Sequence, residues 1–249
     1  MDSFSFTPSI NRDSFFAAKT LQADYLNADS GPVLANNADF EKLVTDSLVS
    51  VGKLSVTNAV INDYKDKNLP LKPGIIKPLP AELINSIPFR FIADTVVFSN
   101  GYAKYTEVFK DQTLAVPVTK LNITLLNIKS RYHHTDDSLG IMATGYIFDS
   151  IWTSIRLKQS YTDSLGSFLL TGRLKAKDIT FLNSITIPLA SVKIRSGNID
   201  TISMSVAGHE YVALGKMKML YDDLKIEVLK EETGKKKKSC HTACQYFSH

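Results

Sequence analysis

The 249 residues are 44% hydrophobic and 22% charged, enough apolar matter for a real core and too much for a disordered chain. The net charge of +4 is carried by one run, Lys235 to Lys238. The remainder holds as many basic as acidic residues, which leaves a nucleic-acid function without support.

The first ~50 residues alternate short apolar runs, Phe15–Leu21 and Val33-Leu34, with turn-like Asn27–Pro32 and Asn36-Asn37, and are read as strands. Residues 1–76 are thus expected to be an N-terminal β segment. Prolines at 70, 73, 78 and 80 lack the backbone donor that a central strand needs, and Ala81–Ile87 could form a short helix ended before Pro88. Residues 77–90 are therefore expected to be a proline-rich linker with a short helix, separating two sheet segments.

From Phe91 the period of two dominates, predicting an antiparallel sheet over 91–230. Ile151, Thr153, Ile155, Leu157 and Tyr161 fall on one face of a strand, and Ser154, Arg156, Lys158 and Ser160 on the other. Phe168, Leu170, Gly172, Leu174 and Ala176 alternate with Ser167, Leu169, Thr171, Arg173 and Lys175, and Asp163–Gly166 supplies turn chemistry between the two runs. This is a hairpin with one greasy and one basic side. Similar alternation recurs in 139–147, 192–206 and 211–229. The three-residue spacing of Ile179, Leu182 and Ile185 predicts a short helix closing over an edge. Residues 231–249 read as a disordered, solvated lysine-rich tail.

The expected fold class is all-β: a long, curled antiparallel sheet or groove of about ten to twelve strands with one or two short helices, the alternative being a β-sandwich. A weak internal repeat, Asn58-Ala59-Val60-Ile61 before Tyr64 and Asn100-Gly101-Tyr102-Ala103 before Tyr105, suggests a sheet extended by repetition.

Little points to chemistry. There is no nucleophile elbow, no phosphate-cradling glycine loop and no zinc-helix histidine spacing, so an enzyme is not expected. Neither a metal nor another cofactor is expected: His133-His134 reads as a hairpin tip, His209-Glu210 as a turn pair, and Cys240-His241-x-x-Cys244 offers three ligands without a second cluster. The aromatic residues, Trp152 among them, are first of all strand formers. Cysteines confined to the last ten residues suit an oxidising compartment. No apolar run approaches the ~20 residues of a membrane helix, and the N-terminus lacks the regions of a signal peptide. An envelope location would need an export signal outside these residues.

The run Gly172–Asn183, then Ile187-Pro188-Leu189 and Ile194–Asp200, resembles the AsmA-like family of Gram-negative envelope proteins. Gly208-His209-Glu210-Tyr211 leading into Gly215–Ile226, with its glycine, basic residue and Tyr-x-Asp-Leu-Lys, is similar to that family's pattern, as are the strand starts Asp63–Lys67 and Tyr105–Glu107. The resemblance covers Leu43 to Leu229 and its motifs are structural. It implies a periplasmic segment of a protein anchored in the inner membrane by a helix absent from this chain, TamB-like proteins and bridge-like lipid-transfer proteins being relatives. It further implies a role in phospholipid transport or outer-membrane biogenesis along an apolar β-groove.

On that reading Ile155, Leu157, Phe168, Leu170 and Leu174 would line the groove and phospholipid acyl chains would be the partner, a sixteen-carbon tail gaining on the order of 10 kcal/mol from a complete lining. Two other readings stand beside it. One is a scaffold or assembly factor that binds outer-membrane proteins by strand addition; the other is a carbohydrate- or surface-binding β-sandwich.

Overall fold

In the computed structural model, residues 1–71, 73–74, 77–110, 112–131 and 137–229 are described. Twelve strands form one open sheet. They are β1 (Phe4–Phe6), β2 (Asp24–Ser30), β3 (Val33–Asp39), β4 (Leu48–Thr57), β5 (Val60–Asp66) and β6 (Arg90–Phe109), then β7 (Gln112–Ser130), β8 (Ser138–Ile147), β9 (Ile151–Ser160), β10 (Phe168–Ala176), β11 (Val192–Gly208) and β12 (Ala213–Val228). Four short helices accompany them: α1 (Arg12–Ala17), α2 (Phe40–Asp46), α3 (Pro80–Asn85) and α4 (Asn183–Ala190), the last preceded by a 3-10 turn at Ile179–Leu182. The chain is all-β, as its alternation predicts. The antiparallel expectation needs one amendment, because β4 and β5 both run parallel to β6. The sandwich alternative is not realised, since the strands make a single sheet. The proline-rich stretch lies in the crossover from β5 to β6 that parallel pairing demands, and strands on either side of it join the same sheet.

The first seven strands are organised as long ribbons. β2 and β3 pair antiparallel with β5 and β4 in one continuous register, partner numbers summing to 89 throughout (24 with 65, 33 with 56). β4 and β5 lie beside β6 at a constant offset of 42 residues, from Leu48 beside Arg90 to Asp66 beside Val108. The weak repeat in the sequence is the trace of that stacking. Val60 faces Tyr102 and Ile61 faces Ala103, and the Asn100 side-chain amide donates to Asn58 Oδ1 at 2.8 Å. The one-residue difference in spacing also has a meaning. Tyr64 pairs with Thr106 while Tyr105 pairs with Asp63, so the two tyrosines lie on opposite faces.

A strand alternates faces with strict period two, yet these ribbons change parity twice along their length, the apolar residues of one face continuing past the first change and giving way to polar ones at the second. In β4, β6 and β7 the core residues Val51, Ala93 and Ile128 pair side by side, as do Leu54, Val96 and Leu125 three positions further along. An odd step between inward residues marks a shift of one, and left-handed Asn37 and Asn127 stand at that row in β3 and β7. The second shift falls at Asn58, Asn100 and Lys120, all at positive φ. There Asn122 Oδ1 accepts from the Asn100 N–H at 3.1 Å and its amide donates to the Lys120 carbonyl at 2.9 Å. Asparagine tolerates the left-handed region by bonding locally, hence its use here.

Two helical pieces pack on the apolar face, near opposite ends of the strands. α3 begins with Pro80 at its first position, and the Glu82 carboxylate accepts the Leu79 N–H at 3.1 Å. It buries Ala81 and packs Ile84 against the core cluster to which Ile128, Leu139 and Tyr161 belong. Gln159, 1% exposed, fixes it there: its Oε1 accepts from the Ala81 N–H at 3.0 Å and its amide donates to the Gly166 carbonyl at 3.4 Å. At the other end Ile179 joins Ile151, Ala176 and Ile194 in a second core, flanked by Phe181 and Leu182. Asn183 clamps this piece like a short ladder, accepting from the Ile194 N–H at 2.6 Å and donating to the Ile194 carbonyl at 2.8 Å. The helix expected near 177–185 therefore runs on to Ala190. It packs against β11 and reaches β7 at the ends of the shorter strands between them, not along the sheet's edge.

Gln159→Leu should leave the Ala81 N–H without its acceptor and lower unfolding free energy by about 1–3 kcal/mol, read as a reduced urea midpoint with unchanged slope.

Candidate functional site

Between the two helical caps the apolar face continues across the sheet as two rows of paired residues. One runs Val33, Val56, Phe98, Ile123, Ala143, Ile155, Gly172, Met204, Met217, one residue from each of β3, β4, β6, β7, β8, β9, β10, β11 and β12. The neighbouring row runs Ala35, Leu54, Val96, Leu125, Ile141, Leu157, Leu170, Val206, Gly215 across the same strands. Every member is apolar or glycine. Nine strands span about 38 Å at the usual spacing of ~4.8 Å. At Gly172 the Met204 side chain lies so close that a Cβ would meet its Cε at 3.0 Å, so the glycine is what lets methionine fold over the band.

The five residues singled out from the sequence share this face but not one environment. Ile155, Leu157 and Leu170 sit in the two rows, half-buried and outside both core clusters. Phe168 stands beside the buried Gln159, toward α3. Leu174, opposite Thr153, packs against the second core under the 3-10 turn and belongs to the filled part of the face. The partners on β6, β7 and β11 were not foreseen as lining, although Met204 and Val206 lie in a stretch whose alternation is visible in the sequence. Arg156, Lys158, Arg173 and Lys175 are exposed on the opposite face.

Beyond the second parity shift the same face turns polar. Asp24, Lys65 and Glu107 form one cross-strand row, and Leu26, Asp63 and Tyr105 the next. Lys65 Nζ contacts Asp24 at 2.9 Å, Lys67 contacts Glu107 at 2.7 Å and the Tyr105 hydroxyl donates to Glu107 at 2.9 Å. Burial opposes ionisation of Glu107, but the hydrogen bonds from Lys67 and Tyr105 win and hold its pKa below the usual 4.5. Burial, then the bond to Glu107, pushes Tyr105 up to about 12. The bond to Asp24 raises Lys65 against its own burial. Asp63 is the exception: burial, then the nearby Asp24 charge, raise its pKa above 3.8, and its Oδ1 is a buried oxygen with no hydrogen-bond partner. The segments Asp63–Lys67 and Tyr105–Glu107, read from sequence as strand starts, are thus joined into one ion-pair network.

His209 lies in the β11–β12 turn, where its Nδ1 accepts from the Tyr211 N–H at 3.4 Å. Among the described residues no three histidine, cysteine or acidic side chains come together as metal ligands, and no helix is long and apolar enough to cross a membrane. The His133-His134 pair and the cysteine tail lie outside the described residues. No protein-family model matches the chain, and a search of curated proteins finds none similar to it.

A carboxyl whose pKa is raised on folding binds its proton more tightly in the native state, so stability falls as pH rises from 3.8 through the raised value. Asp63→Asn should remove that fall. Thermal melts should place the variant above wild type at neutral pH, with the gap closing below pH 3.8.

Proposed function

We propose that this chain is a non-catalytic segment of an AsmA-like envelope protein whose apolar band cradles phospholipid acyl chains in the periplasm, supporting lipid transport or outer-membrane biogenesis. The observation that carries this reading is the continuity of the two rows between the helical caps. A single core pocket would need only a few such residues, and a face covered by a second sheet would be filled. Here the helices flank the band on either side; Leu54, Val96, Phe98, Leu125 and Ile141 of the two rows belong to the first cluster, while Ile155, Leu157 and Leu170 lie outside either cluster. The band, at about 38 Å, is longer than the ~15 Å depth of tails in one bilayer leaflet. Non-directional contact along it suits a chain that slides, and an open face that touches one side of a tail would supply roughly half of the ~0.8 kcal/mol available per methylene.

A fluorescent sixteen-carbon acyl probe should bind the full chain. Ile155→Glu combined with Leu170→Glu should weaken that binding at least tenfold with an unchanged far-ultraviolet circular dichroism spectrum. Leu165→Glu, at an exposed turn, should leave it unchanged. An unaltered affinity in the double variant would remove acyl chains from the band.

The scaffold reading has its own observation: among the described residues β12 pairs on one side only, with β11. All but Leu224 and Glu227 of its sixteen residues are exposed, Met217 at 70% and Leu214 at 77%. A long edge that no other described strand covers is a template for strand addition. Capture of an unfolded outer-membrane barrel strand by the protein stripped of lipid would favour this second reading.

A further inference from the structure

The near-neutral charge of the chain conceals a segregation that only the sheet reveals. On the face opposite the apolar band, three cross-strand rows run over β8 to β12. The first is Met142, Arg156, Thr171, Ser205, Lys216; the second is Thr144, Ser154, Arg173, Ser203, Lys218; the third is Gly140, Lys158, Leu169, Ala207, Leu214. A fourth pairs Lys175 with Trp152 and Trp152 with Tyr146. None of these residues is acidic, and none of the six cations makes an ion pair among the described residues. Acids stand at the strand ends, Asp137 and Asp163 sharing a depression with Lys158, and Asp200 another with Lys175 and Lys177.

We infer that the outer face of β8–β12 docks on the surface of an anionic phospholipid bilayer, through Arg156, Lys158, Arg173, Lys175, Lys216 and Lys218. Two features point to lipid. The cations spread over a sheet face about 14 Å wide from β9 to β12, within reach of many headgroups at once. The exposed side chains between them, Met142, Leu169 and Leu214, are aliphatic and of a kind that enters the headgroup boundary, whereas single-stranded nucleic acid is held by exposed aromatic platforms. This inference does not rest on the acyl-chain reading, which concerns the other face.

The test is flotation of the full chain with phosphatidylcholine vesicles with and without phosphatidylglycerol. Binding is expected only with phosphatidylglycerol, and is expected to be lost at high salt as the charges are screened. Replacing Arg156, Lys158, Arg173 and Lys175 together by glutamine should weaken binding at least a hundredfold, roughly fivefold per cation removed. Replacing Lys235–Lys238 by serine should leave most of it. The reverse pattern would assign binding to the tail and overturn the proposal. Trp152, the chain's only tryptophan, is a native reporter that needs no variant. Anionic vesicles carrying brominated lipid should quench its fluorescence, and no quenching, or displacement of the protein from vesicles by single-stranded RNA, would equally overturn it.

Discussion

Strict alternation of side chains is the constraint on which this molecule rests. A sheet whose strands reach twenty residues keeps its apolar residues on one face only where each change of parity is matched in the neighbouring strand or taken up by a bulge. A shift neither matched nor taken up by a bulge would place the next apolar set of a strand among its neighbours' polar ones. The left-handed asparagines lie at these levels, as does the bridge in which Asn100 donates its side-chain amide to Asn58 and its backbone N–H to the Asn122 side chain. The registers of β4 and β5 with β6 stay continuous across them, while β7 carries bulges against β6 and β8 at the second.

This matching gives the two faces different jobs. On one side the rows are apolar, and they are flanked by α3 toward one end of the strands and by the 3-10 turn with α4 toward the other. Each cap is held by one side chain that satisfies a backbone donor, Gln159 for Ala81 and Asn183 for Ile194. Such bonds matter more when broken than when made, since a desolvated N–H without an acceptor has no water to turn to. On the other side the same strands carry their cations. The charged network around Asp63 belongs to the apolar side yet lies past the second shift, so along β6 the band gives way to a polar patch beside Lys65 and Glu107.

How much could be read in advance varied with the length of each strand. In the hairpin from Ile151 to Ala176 the strands are short and unbroken, so period two survives. The residues named from it, Leu157 and Leu170, are direct partners in the structure. In β6 and β7 the pattern is broken every several residues, so Val96 and Ala93, three apart and both buried, look unrelated in a linear reading although they belong to one core. The repeat at Asn58 and Asn100 was visible but mute, because its meaning is a parallel alignment at an offset of 42 that requires the crossover through α3. Leu174 shows the opposite difficulty. Its alternation equals that of Leu170, and only the 3-10 turn above it separates a packed residue from one left outside the core.

The amino-acid sequence by itself determined the β class, the greasy and wet sides of the ninth and tenth strands, and the place of the crossover, since alternation and proline act over a few residues. Tertiary structure alone decided that the strands form one open sheet, that its apolar rows cross nine strands, and that six cations scattered over sixty residues gather on one face. Those outcomes depend on pairing partners far apart in the chain, and pairing is set by registers that no local window contains.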